Sequence, residues 1–266
     1  MKLYISADIE GVCGVTSWSE TELDNRESGS FIIEWIKEIQ KVIDVAIEQG
    51  YDDIYLKDAH DTARNLLPEF FPKEVRLIRG WSGHPYGMVE GIDSTFDAAI
   101  FVGFHSRAGS NTNPISHTLY PKYVRSMCIN GEPASEFLIY YYTCCYANVP
   151  VIMVVGDKGI CQEVNNIDKD IFTVITKEGF GGATINCNPK NVLDEIREKT
   201  ELSIQQNIQV KQLPITFDIE VNFVKHVDAF KASFYKDAVA DEDGYTIRYR
   251  SKDFFDILRF FSFVLG

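Results

Sequence analysis

Four short segments place carboxylates, imidazoles and glycines directly after apolar runs: Asp8-Ile9-Glu10-Gly11, Asp58-Ala59-His60-Asp61, Gly103-Phe104-His105 and Gly156-Asp157. Asp8 and Glu10 stand two residues apart, so on an extended strand both side chains leave the same face. Two carboxylates held that close repel unless a cation lies between them. His60 and His105 add imidazole nitrogen, and a mixed oxygen and nitrogen donor set suits zinc or manganese rather than calcium. Each segment alone also fits a solvated turn or a structural histidine; the agreement of four points to a metal site. The spacing fits neither a zinc finger nor H-E-x-x-H, so the site has to be assembled from distant parts of the chain.

Two further residues have open readings. His117, in Ser116-His117-Thr118, is either an acid/base or anion-stabilising group beside the metals or an exposed loop histidine. Glu136 begins a helical pattern, where the helix dipole favours a carboxylate whether or not it binds anything. His84 and His226 have no converging acidic partner. Gly179-Phe180-Gly181-Gly182 lacks the spacing of a dinucleotide fingerprint and reads as a flexible loop.

The elements that must position these residues alternate in type. Strand-like runs cover Lys2–Ile9, Asp53–Lys57, Ala98–Phe104 and Val149–Val155, and helical periodicity covers 31–49, ending at Gly50, and 136–146. Alternation of this kind predicts an α/β fold, a mostly parallel sheet flanked by helices, with every strand end on one edge. From residue 188 the character changes. Asn188-Pro189 caps a helix to about residue 206, Ile215–Phe223 and Gly244–Arg250 alternate as half-buried strands, and Ser251 can cap a final aromatic helix. The division expected is therefore a metal-binding core over 1–187 and a smaller C-terminal α+β lobe over 188–266, with no evident linker.

Composition removes several classes of function. The chain has 266 residues and a formal net charge of −13, which repels phosphate backbones and anionic lipid, so neither nucleic acid nor a membrane surface is an expected partner. Its uncharged apolar runs fall well short of the about 20 residues that span a bilayer. No signal-peptide pattern is visible, and the six cysteines form no C-x-x-C pair. Both features lead to the expectation of a cytoplasmic protein with free thiols.

The residues also carry a resemblance. Asp8-x-Glu10-Gly11-x-x-Gly14, Asp58-Ala59-His60, Met88-Val89-Glu90-Gly91-Ile92-Asp93, Gly103-Phe104-His105-Ser106-Arg107-Ala108, Ser116-His117 and Ile129-Asn130-Gly131 through Glu136 occur in the order seen in DppA-type D-aminopeptidases, a family of zinc metallopeptidases. The likeness is dense from residue 2 to about 160 and thinner beyond. It implies an enzyme that removes N-terminal residues, typically D-amino acids, from short peptides, with L-peptides as the other option. It further implies two Zn2+ ions per subunit, replaceable by Mn2+ or Co2+. In that pattern Asp8 bridges the ions, Glu10 and His60 complete one site, His105 and Glu136 complete the other, and His117 is the catalytic histidine. The assembly implied is a ring-shaped homo-oligomer, of decamer size. Two alternatives compete on the residues. The run Ala7-Asp8-Ile9-Glu10-Gly11 superficially resembles the D-x-D-G-T of haloacid-dehalogenase phosphohydrolases, although it lacks the second aspartate and the hydroxyl after glycine. A metal-stabilised ring protein without catalysis is the other.

Overall fold

The computed structural model describes residues 1–265. In chain order the elements are β1 (Lys2–Ala7), α1 (Gly29–Glu48), β2 (Asp53–Asp58), β3 (Val75–Ile78), β4 (Ala98–Phe104), β5 (Val124–Ile129), β6 (Glu132–Pro133) and α2 (Glu136–Tyr146). There follow β7 (Val151–Gly156), α3 (Lys158–Ile167), β8 (Phe172–Ile175), β9 (Lys177–Phe180), β10 (Ala183–Asn186) and α4 (Pro189–Gln205). The chain ends with β11 (Phe217–Phe223), α5 (His226–Ala232), β12 (Val239–Ala240), β13 (Thr246–Ser251) and α6 (Phe254–Val264).

Six strands form one parallel sheet in the order β3-β2-β1-β4-β7-β8. All seven residues of β4 are buried, as expected of a central parallel strand covered on both faces. One face packs α1 and α4, where Trp35, Ile39, Val42, Val192 and Ile196 meet Leu3, Ile5, Ile100 and Val102. The opposite face meets α2 and α3, and the same apolar cluster continues into a five-stranded antiparallel sheet, β12-β13-β11-β5-β6, and into α6. The fold is thus mixed α/β with a parallel sheet flanked by helices.

Pairing crosses the boundary expected at residue 187. Strands β5 and β6 come from the first part of the chain yet complete the antiparallel sheet, and α4 comes from the second part yet covers the parallel one. Two local expectations change as well. The stretch 177–186 is a β-hairpin, with Gly181-Gly182 as its turn, rather than a flexible loop. Asp253 and not Ser251 caps α6, its carboxylate accepting from Phe255 N at 3.0 Å while Ser251 Oγ accepts from Asp253 N. The aromatic tail is mainly core: Phe254, Phe260 and Phe261 are buried, and Phe263 stands out at 70 % exposure.

Strand order reverses between β1 and β4, which lie side by side while their onward connections lead to opposite halves of the sheet. The carboxyl ends of strands at such a switch point form the binding crevice of an open α/β sheet. Here the two backbones come very close. Asp8 N donates to Val102 O and Gly11 N to Gly103 O, both at 2.8 Å, and Gly103 holds φ +74°. A Cβ at Gly103 would run into the carbonyl oxygen of Asp8. Left-handed strain and a backbone collision together make Gly103→Ala costly, by about 2–4 kcal/mol of stability. Urea denaturation of the purified variant should show this loss, and a midpoint equal to wild type would contradict it.

Candidate metal centre

The loops at the switch point are pinned by buried charged side chains that are not themselves aimed at the centre. Asp58 accepts from Asn65 N at 2.6 Å, Leu66 N at 2.8 Å and Asn65 Nδ2 at 3.0 Å, closing the turn that carries His60. Asp157 accepts from Ser106 N at 2.7 Å, Ser106 Oγ at 2.5 Å and Asn113 Nδ2 at 2.9 Å. It also caps α3 through Ile160 N at 2.9 Å, so one buried side chain ties β7 to the loop that bears His105. Glu136 opens α2, whose N-cap Ser135 accepts from Leu138 N at 3.1 Å. Buried Lys177 donates to the carbonyl oxygens of Glu10 and Val15 and fixes the first loop from below.

Asp8, Glu10, His60, His105, His117 and Glu136 are all buried and converge. They form two groups, Asp8–Glu10–His60 and His105–His117–Glu136. His60 Nδ1 lies 3.4 Å from Asp8 Oδ1 and 3.1 Å from Glu10 Oε1. His105 Nε2 lies 3.5 Å from Asp8 Oδ2 and 3.3 Å from Glu136 Oε2. Asp8 therefore turns one oxygen to each group. His117 Nε2 is 3.6 Å from Glu136 Oε1, and its ring stacks on His105 with centroids 4.1 Å apart.

The outer nitrogen of each of the three histidines at the centre donates to a main-chain carbonyl: His60 Nε2 to Thr21 O at 3.1 Å, His105 Nδ1 to Ser106 O at 2.9 Å and His117 Nδ1 to Ile115 O at 3.0 Å. A carbonyl oxygen can only accept, so the inner nitrogens are the ones that present lone pairs when neutral, the arrangement that orients metal-ligating imidazoles. Glu10 Oε2 and His105 Nε2 are buried without a hydrogen-bond partner among the described residues. Orphaned buried donors and acceptors are costly, and cations between the carboxylates would satisfy both atoms. The residues present therefore fit divalent metal of the zinc type.

In the absence of metal, protons take the place of the cations. Burial pushes Asp8 well above the usual carboxylate range, and the charge of Glu10 adds to it. Burial works in the same direction on Glu10 and Glu136, but His60 and His105 respectively outweigh it and hold both below the ordinary value. Burial opposes charge on His60 and His105, yet their carboxylate neighbours prevail, raising His60 well above normal and His105 to about 10. His117 moves the other way, lowered by burial and by its neighbour His105.

The centre forms the floor of a cleft of about 820 Å³. His117 and Glu136 line it, whereas His105 lies beneath. Trp18, Trp81, Met88, Tyr120 and Tyr140 build the walls, and Leu258, Phe261 and Ser262 of α6 close one side. Residues 1–263 match the peptidase M55 family, described as D-aminopeptidase. The chain belongs to that family, and it is an enzyme of the metallopeptidase class. The D-aminopeptidase of Bacillus subtilis (strain 168) is 30 % identical over 258 residues, which span 95 % of this chain and 92 % of that one. A solved structure of the Zn-dependent D-aminopeptidase DppA from Bacillus subtilis, described as a self-compartmentalizing protease, superposes with a TM-score of 0.92. That match is 26 % identical and covers 100 % of this chain and 97 % of the other. Family membership removes the haloacid-dehalogenase alternative.

Sequence reasoning had no place for Lys177, Lys57, Trp18 or Trp81. A lysine inside an otherwise apolar β run, as in Asp53–Asp58, was the visible signal for Lys57. His84 lines the cleft rim with its Nδ1 accepting from Tyr86 N, and His226 sits on α5 outside the cleft. Their carboxylate neighbours favour the protonated form of His60 and His105 without metal, so zinc held at these nitrogens would expel protons. Calorimetric titration of metal-free protein with Zn2+ in two buffers of different ionisation enthalpy should read net proton release at pH 7, diminishing as pH rises toward 10. Zero release at pH 7 would contradict the assignment of these inner nitrogens as ligands.

Proposed function

We propose that the protein is a dinuclear zinc aminopeptidase that removes the N-terminal residue, typically a D-amino acid, from short peptides. The observation that carries the reading is Asp8, whose two oxygens face separate imidazole and carboxylate groups on the floor of a deep cleft. In this reading Asp8 would be shared by two ion-holding sets, Glu10 and His60 completing one and His105 and Glu136 the other. Bound there, zinc supplies Lewis acidity toward the scissile carbonyl and brings the pKa of a water to about 7.

His117 is the proton carrier. It faces the cleft where His105 does not, its lowered pKa keeps it neutral near pH 7, and its Nδ1–H bond to Ile115 O leaves Nε2 free. Nε2 takes the proton lost as water adds to the carbonyl carbon and returns it to the departing amine. Trp18 packs edge-on to His117 at 5.0 Å and fixes the plane of the ring. Glu136 links the groups, since its Oε1 also accepts from Leu119 N at 2.7 Å and so holds the 119–122 segment at the cleft mouth.

The D-residue preference is supported by the names of the relatives. Assembly into a ring-shaped homo-oligomer, of decamer size, is supported by the self-compartmentalizing relative and by exposed aromatics, Phe230 at 67 %, Phe234 at 74 % and Phe263 at 70 %. A cytoplasmic setting accords with six free thiols, and among the described residues no helix is long and apolar enough to cross a membrane.

A zinc-repleted screen of D-Ala- and L-Ala-initiated di- and tripeptides should show cleavage, faster in the D series. Asp8→Ala should lose both bound zinc and turnover; full activity with undiminished metal would sink the scheme. His117→Asn should keep its zinc while kcat falls about 10²–10⁴-fold. Unchanged kcat would instead make His117 a bystander. Light scattering of the zinc-loaded protein should give a mass near ten subunits, and a monodisperse monomer would remove the ring.

A further inference from the structure

The Met88–Asp93 segment has no part in the chemistry above, yet it holds one partner of a buried ion pair at the cleft wall. Lys57, on β2 immediately before Asp58, has no exposed surface, and its Nζ lies 3.1 Å from Glu90 Oε1. The same Nζ donates to Gly80 O at 2.5 Å and sits 4.1 Å from the ring centroid of Trp81. The second oxygen of Glu90 accepts from Ser82 N at 3.1 Å and from Ser82 Oγ at 2.6 Å. Both members of the pair are thus committed to residues 80–82. Trp81 Nε1 donates in turn to Asp61 O at 2.7 Å, next in the chain to His60, where the backbone takes the uncommon left-handed φ of +46°. The indole is held on one face by a cation, on its edge by a carbonyl and through its backbone neighbours by a carboxylate, yet the residue remains 44 % exposed to the cleft.

A buried ion pair is poor value as a stabiliser, because an apolar pair of similar volume does as well. Its worth lies in geometry, and here the geometry fixed is that of one exposed aromatic beside a metal-site histidine. The charge of the cleft lining supplies the direction of the substrate. Glu22 and Asp61 lie on the His60 side, with Thr21 O receiving His60 Nε2, while Lys122 is the one lysine or arginine among the described lining residues and follows Leu119, the neighbour of Glu136. A short peptide with a free α-ammonium and a free carboxylate fits that polarity with its N-terminus on the His60 side, against Trp81.

We propose that Trp81 is the wall against which the side chain of the substrate's N-terminal residue packs, selecting apolar side chains, and that Lys57 and Glu90 are positioning residues for it. This inference rests on the peptide-cleaving reading of the cleft.

The test uses full-length zinc-loaded enzyme and Leu- and Ala-initiated dipeptides of the hand that wild type cleaves faster. Trp81→Ala should lower kcat/KM for the Leu-initiated dipeptide about 10–100-fold, chiefly through KM, and leave the Ala-initiated one within about threefold. Zinc content should stay at the wild-type value, and Trp81→Phe should restore most of the Leu preference. Equal losses on both peptides, or no loss on either, would overturn the role of Trp81. Glu90→Gln should shift the Leu/Ala ratio in the same direction as Trp81→Ala. Should that variant fail to fold, the Lys57→Met/Glu90→Leu double variant replaces the pair by apolar groups. A wild-type ratio in either variant, alongside a shifted ratio in Trp81→Ala, would overturn the positioning half alone. If wild type cleaves no peptide with a free N-terminus, the reading of the cleft falls and this inference falls with it.

Discussion

Three carboxylates, Asp8, Glu10 and Glu136, lie buried together at the floor of one cleft, and their charge has to be balanced there. Burial leaves little solvent around them to screen that charge. Imidazoles offset it: the carboxylates raise His60 and His105, whose inner nitrogens would offer lone pairs to a cation. Nearly everything around the centre serves that balance. The outer nitrogens of the three histidines are tied to main-chain carbonyls, so ring orientation is fixed by the backbone and independent of whichever species sits between the carboxylates.

A second tier of buried charge fixes the loops that carry the candidate ligands. Asp58 closes the His60 turn, Asp157 joins the end of β7 to the His105 loop, and Lys177 holds the Asp8–Glu10 loop from beneath. These groups are full of hydrogen bonds, in contrast to the orphaned atoms of Glu10 and His105. Around the centre, Asp58 and Asp157 spend their oxygens on hydrogen bonds that hold geometry, while Glu10 keeps one oxygen unpartnered toward its neighbours. Lys57 and Glu90 belong with the scaffold, although what they hold is a wall of the cleft and not a metal ligand.

Much of the candidate site was legible because its residues follow strand ends. A parallel strand is an apolar run, so the polar residues that terminate it stand out, and the parallel arrangement brings those ends to one edge. That logic found Asp8, Glu10, His60 and His105 without any knowledge of distance. It was less able to place Glu136, because a carboxylate in the first turn of a helix has a sufficient local reason to be there. Strands β3 and β5 were missed since Arg76, Arg125 and Ser126 interrupt their apolar pattern. The 177–186 hairpin was missed since its glycines read as looseness when they supply a tight turn.

The sequence by itself determined which residue types arrive at the carboxyl edge of the sheet, and in what order, because period and composition are local properties of the chain. A net charge of −13 also leads to the expectation that nucleic acid and anionic lipid are not partners. Only the tertiary structure decided that Asp8 divides its oxygens between two groups, that His117 faces the cleft while His105 lies beneath it, and that β5 and β6 belong with strands a hundred residues further on. Those facts depend on the close backbone approach at Gly11 and Gly103 and on the packing of α2 against the sheet. Both are set by long-range contacts, to which a residue-by-residue pattern is blind.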